Sequence, residues 1–220
     1  MMPRLLPLTV AARLAAILFM TPVSDADAEA VNTTVEVDKP VVLLGDAGPV
    51  YVLVRFAAPD STPTKDRPLL NLSLVLDRSG SMESKGKLEY LKRAAKKTVD
   101  SLQGKDRLAI VEYDDRVTVL WPSSPVESPA MVKRLIDALE PRASTNLAGG
   151  LVAGIEQVEE TISDDRLTRV LLLSDGLANI GITDPREIRK LVRKGKMKGV
   201  RVSTLGLGLD YNEDLMQDIA

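Results

Sequence analysis

Asp77, Ser79 and Ser81 stand at alternate positions in the stretch Asp77-Arg78-Ser79-Gly80-Ser81-Met82. The stretch directly follows an apolar run, Leu69 to Leu76. An acid and two hydroxyls spaced in this way are oxygen donors without an obvious core role. Two further segments carry oxygens of the same kind: Thr145 in Ala143-Ser144-Thr145-Asn146, and Asp175 in Leu173-Ser174-Asp175-Gly176. Three hydroxyls and two carboxylates make a plausible octahedral site for a hard cation. The bland readings are a turn or cap at Asp77, a helix cap at Thr145 and a turn at Asp175-Gly176.

The composition narrows the chemistry. The 220 residues contain no Cys and no His. This excludes disulfides, Cys/His zinc sites and Ser-His-Asp catalysis. A metal would have to be held by oxygen, which points to Mg²⁺, with Mn²⁺ or Ca²⁺ as alternatives. Lys and Arg number 29 against 31 Asp and Glu, for a net charge of -2. That balance, with aromatics at only 3%, gives no reason to expect a nucleic-acid partner.

The elements that would position these residues follow from hydrophobic pattern. Leu69–Leu76 reads as a buried strand. Lys87–Leu102 reads as a helix, with Leu88, Leu91, Ala94, Ala95, Thr98, Val99 and Leu102 on one face. Leu108–Tyr113 and Val117–Trp121 read as a hairpin around Asp114-Asp115-Arg116. Ser128-Pro129 opens a helix with Met131, Val132, Leu135, Ile136 and Leu139 inward, Ser as N-cap and Pro at N1. Leu147, Leu151, Val152, Ile155, Val158 and Ile162 line the next helix. Val170–Leu173 is a buried strand. Asp184-Pro185-Arg186-Glu187 starts a helix in the manner of a capping box. Val200–Leu205 is a strand, and a last helix begins near Asn212. Strands alternating with helices predict a three-layer α/β fold, Rossmann-like, with a mostly parallel sheet and one antiparallel edge strand. Ligands of such sheets lie beyond the carboxyl ends of the strands. Neighbouring central strands would bring Asp77, Ser79, Ser81, Thr145 and Asp175 to one rim.

The region before the sheet divides in two. Residues 1–28 read as a signal peptide: Arg4 and Arg13, a short apolar core over 14–20, and Ala26-Asp27-Ala28 as a cleavage site. The core is too short for a confident membrane span. Export to the periplasm, cell surface or medium is expected, with no membrane association beyond this segment. Residues 29–68 read as a β-rich lead-in and linker, with Val41–Leu44 and Val50–Phe56 as strands around Gly45-Asp46-Ala47-Gly48-Pro49.

Hydroxyl ligands are neutral and remove little of a metal's charge. If Asp77 and Asp175 act partly through water, the ion favours one more anionic ligand from outside, such as a carboxylate on a partner protein. The three segments, in this order after a buried strand, resemble the von Willebrand factor A domain family and its metal-ion-dependent adhesion site. The resemblance covers about 69 to 219. It implies that Ser79, Ser81 and Thr145 are direct ligands and that Asp77 and Asp175 act from the second sphere or through water. It also implies a cation-dependent protein-binding module, not an enzyme, with no small-molecule substrate. The lead-in is similar to that of secreted bacterial members, whose A domains resemble inter-alpha-trypsin inhibitor heavy chains. A further strand normally follows the last helix in this family, so the resemblance implies a domain cut short at Ala220. Two other readings stay open: a Mg²⁺-dependent hydrolase or phosphotransferase with Asp77 as nucleophile, and a structural domain that assembles without metal.

Overall fold

Among the described residues, four strands come before residue 68 in the sequence. A computed structural model describes residues 5–7, 32–38, 41–43, 49–57 and 67–220. It divides into two units, Met1–Arg67 and Pro68–Ala220. In the first unit, β1 (Leu5–Pro7) pairs antiparallel with β3 (Val41–Leu43). Strand β2 (Asn32–Val37) pairs antiparallel with β4 (Val52–Ala57), Asn32 opposite Ala57 and Val37 opposite Val52. The two runs flanking the Gly/Pro-rich turn therefore do not pair with each other. Each takes a partner from earlier in the chain. The expected export signal lies outside the described residues except for Leu5–Pro7.

The second unit is built on a five-stranded sheet. Its strands are β5 (Leu69–Asp77), β6 (Arg107–Tyr113), β7 (Val117–Pro125), β8 (Arg166–Ser174) and β9 (Arg201–Gly206), in the order β7-β6-β5-β8-β9. Strand β7 runs antiparallel to β6 at the edge, and the other neighbours are parallel. Five helices accompany it: α1 (Lys87–Asp100), α2 (Pro129–Asp137), α3 (Leu147–Glu159), α4 (Pro185–Met197) and α5 (Glu213–Ile219). This is the expected three-layer, Rossmann-like α/β architecture.

Alternation along β5 sorts the core. Leu72, Leu74 and Leu76 face α1 and α2, where they meet Leu88, Leu91, Val99, Val132 and Ile136. Val75 faces the other layer, with Leu151, Ile155, Ile188 and Met216. Each fully buried aliphatic side chain contributes roughly 1.5–3 kcal/mol relative to exposure. Small residues bring α3 unusually close to the sheet. A Cβ on Gly154 would lie 2.3 Å from Val75 Cγ2, and one on Gly150 would lie 2.6 Å from the Tyr113 ring.

The chain runs from β5 outward through β6 to β7, then returns to place β8 on the other side of β5. The order reverses between β5 and β8. In open α/β sheets, ligands bind beyond the carboxyl ends of the strands at such a reversal. Asp77 ends β5, and Asp175 directly follows β8.

Some local expectations change. Ser128 precedes α2 but makes no side-chain cap; its carbonyl accepts from the Met131 and Val132 amides instead. Asp184 caps α4 through Arg186 N–H, while Glu187 turns to Lys190 rather than back to the cap, so only half of the capping box forms. Helix α3 ends at Glu159, leaving Ile162 outside it and exposed. Met131 is exposed rather than inward.

Candidate metal centre

Asp77 is fully buried, and protein donors engage both of its oxygens. Oδ1 accepts from the Ser79 amide at 2.9 Å. Oδ2 accepts from Ser174 Oγ at 2.6 Å and from Tyr113 Oη at 3.1 Å. Burial pushes its pKa up; the Ser174 and Ser79 donors counter part of that rise, and the Asp175 charge adds to it. The Tyr113 phenol is pushed well above its ordinary value, by burial and then by the Asp77 charge. It therefore stays a neutral donor.

Arg78 turns away from this cluster. Its guanidinium reaches Asp114 at 2.8 Å and Glu112 at 3.3 Å. The alternation leaves Ser79 and Ser81 together, with their hydroxyls 3.2 Å apart. Ser79 is buried and Ser81 half-buried.

The Thr145 loop is tied to the loops on either side. Gly80 N–H donates to Ala143 O at 2.9 Å, and Arg142 N–H to Arg78 O at 2.7 Å. Thr145 N–H donates to Asn179 Oδ1 at 2.8 Å. In return, the Asn179 and Ile180 amides donate to Thr145 O at 3.1 and 3.2 Å. Thr145 is buried. The side-chain cap of α3 is Asn146, which accepts from Gly149 N–H, so the Thr145 hydroxyl is not taken up by the cap.

Asp175 is fully buried beyond β8. Oδ1 accepts from Leu177 N–H at 3.3 Å, and its carbonyl from Asn212 N–H at 2.8 Å. Gly176 follows with φ 73°, a left-handed turn that a side chain would strain. Lys87, the first residue of α1, reaches Asp175 Oδ2 with Nζ at 3.1 Å and Asp210 Oδ1 at 3.0 Å. Burial disfavours the Lys87 charge, but Asp210 and Asp175 outweigh it and hold the pKa above the ordinary lysine value.

These loops form one rim linked by hydrogen bonds. Octahedral Mg²⁺ binds oxygen at about 2.0–2.1 Å, which sets neighbouring ligands about 3 Å apart. The Ser79–Ser81 separation of 3.2 Å fits one edge of that octahedron. Among the described residues, no group of three or more acidic side chains could hold a metal. A cation at this rim would depend on hydroxyls as well as the two carboxylates.

The sequence pattern agrees with this architecture. Residues 71–220 match the model of the von Willebrand factor type A domain. The chain belongs to the von Willebrand factor type A family. This A domain is 35% identical over 158 residues to YfbK of Escherichia coli, an uncharacterised protein, covering 71% of this chain and 28% of that one. It is 30% identical over 180 residues to the rat inter-alpha-trypsin inhibitor heavy chain H3, covering 76% of this chain and 19% of that one. The chain thus spans less than a third of these curated relatives. Among solved folds it superposes on proximal thread matrix protein 1 of the mussel byssus, solved with zinc in its metal-ion-dependent adhesion motif. The TM-score is 0.59 at 22% identity, covering 70% of this chain and 41% of that one. No helix among the described residues is long and apolar enough to cross a membrane.

Sequence reasoning singled out the five oxygen-bearing residues but missed the side chains that hold them. Lys87 reads only as the start of a helix, and Asn179 is not singled out in the sequence at all. Their partners lie 88 and 34 positions away. Only the sheet order brings them into reach.

Proposed function

We propose that this A domain binds one divalent cation, Mg²⁺ first, and through it a carboxylate on a partner protein. Ser79, Ser81 and Thr145 would coordinate the ion directly. Asp77 and Asp175 would act through water, because protein donors already engage both carboxylates. The observation that carries this reading is the 3.2 Å convergence of the Ser79 and Ser81 hydroxyls beside two buried carboxylates. An all-oxygen donor set suits Mg²⁺ or Mn²⁺ better than a soft metal. Mostly neutral ligands would leave the ion electrophilic, so an outside Asp or Glu would complete its shell. When bound, the ion supplies this electrostatic bridge.

The proposed role is interaction, not turnover. A nucleophilic Asp77 would need a free oxygen facing substrate, and both of its oxygens accept hydrogen bonds inside the fold. Export is part of the proposal and rests on the signal-like residues 1–28.

Calorimetric titration of Mg²⁺ and Mn²⁺ into chelator-treated protein tests the site. Single-site binding is expected, and it should vanish in Ser79→Ala/Ser81→Ala while circular dichroism stays unchanged. Equal affinity in the folded double variant would overturn the assignment.

A further inference from the structure

Lys87 lies at the start of α1, a helix whose other inward positions are Leu88, Leu91, Ala95 and Val99. Its side chain is only 2% exposed. A buried ammonium is unfavourable unless it is paired and hydrogen-bonded. Lys87 is paired on both sides, to Asp175 Oδ2 at 3.1 Å and Asp210 Oδ1 at 3.0 Å. The space around it is filled: a Cβ on Gly208 would come within 2.6 Å of Lys87 Cε. The ammonium is thus held by contacts rather than sampling the surface.

Its position changes the charge of the candidate site. Asp77 and Asp175 bring two negative charges, and Lys87 cancels one of them. A divalent ion would then overcompensate the remaining charge by one. Like charges repel strongly where water is largely excluded.

We propose that Lys87 is a positioning residue that sets the charge of the metal site. It holds Asp175 in place, lowers the affinity for the cation and leaves the bound ion with positive charge available to a partner's carboxylate. Asp210 works in the opposite sense. It lies on the exposed turn between β9 and α5, outside the proposed ligand set, and shares the Lys87 charge. Lys85 also reaches Asp210, at 3.4 Å. Removing the Asp210 charge leaves Lys87 to act on Asp175 alone. This inference rests on the metal reading above and gives Lys87 a defined part in it.

The two positions predict opposite signs. In calorimetric titration of Mg²⁺ and Mn²⁺ into the chelator-treated full chain, Lys87→Met is expected to bind at least about tenfold more tightly than wild type. Asp210→Asn is expected to bind about three- to tenfold more weakly. A purely structural role for the cluster would weaken both variants, and that result would overturn the proposal. So would unchanged affinity in a folded Lys87→Met. Should thermal melts show that Lys87→Met does not fold, Lys87→Gln, which removes the charge and keeps a hydrogen-bond donor, takes its place: tighter binding than wild type supports the proposal, and equal or weaker binding overturns it. If no form binds either ion, the metal reading falls and this inference falls with it. If wild type binds and Lys87→Met binds no more tightly, this inference fails alone.

Discussion

Asn179 clasps Thr145 from both sides, since its side chain accepts from the Thr145 amide and its own amide donates to the Thr145 carbonyl. This fixes the backbone behind a proposed ligand without touching the ion. Groups that orient metal ligands typically contribute 10- to 100-fold in affinity. Asn179→Ala should therefore weaken Mn²⁺ binding by about tenfold, read by titration calorimetry. The same variant should lose only about 0.5–1.5 kcal/mol in urea denaturation, the net worth of one hydrogen bond. At this scale the sequence was readable wherever donors sit close together in the chain. Asp77, Ser79 and Ser81 lie within five residues, and their alternation after an apolar strand is itself the signal. Asn179 and Lys87 gave no such signal, because an amide or ammonium on a polar stretch is ordinary until its distant partner is known.

Helix α3 is the element that fixes the Thr145 loop, and its glycines fix the helix. Gly154 faces Val75 so closely that an added Cβ must displace one of the two elements. Overpacking of this kind typically costs 1–3 kcal/mol. Gly154→Ala should lose about 1–3 kcal/mol in urea denaturation. Gly104, with nothing within 4 Å of a built Cβ, provides the control: Gly104→Ala should stay within about 0.5 kcal/mol of wild type, as surface changes do. The helices and strands of the second unit were legible from periodicity, since each buries one face against the sheet. Finer detail was less so. A capping serine and a capping box are written in residue types, but Ser128 left its cap to the backbone and Glu187 found Lys190 instead. In the lead-in, apolar runs identified β3 and β4 but not their pairing. Partner choice there depends on β1 and β2, whose residues carry no register signal strong enough to exclude a local hairpin.

Across the whole molecule, metal binding should appear as stability in one unit only. A ligand at a hundredfold excess over its dissociation constant adds about 2.7 kcal/mol to the state that binds it. In a unit of this size that corresponds to a rise of about 5–10 °C in Tm. A calorimetric scan with saturating Mg²⁺ should show this rise for the transition of Pro68–Ala220, and Ser79→Ala/Ser81→Ala should abolish it. The ties that hold the rim have a further consequence. Leu177, Ile180 and Asn212 contribute through their backbone amides, bonded to Asp175 Oδ1, Thr145 O and Asp175 O. Leu177 and Ile180 remain 40% and 38% exposed, and Leu209, on the neighbouring loop, is 100% exposed. Buried side chains such as Tyr113, Ser174 and Lys87 and these main-chain amides hold the rim from within, while Leu177, Ile180 and Leu209 stay open to solvent. Substitutions at Leu177, Ile180 and Leu209 would then alter what the proposed module recognises while leaving the proposed cation site unchanged.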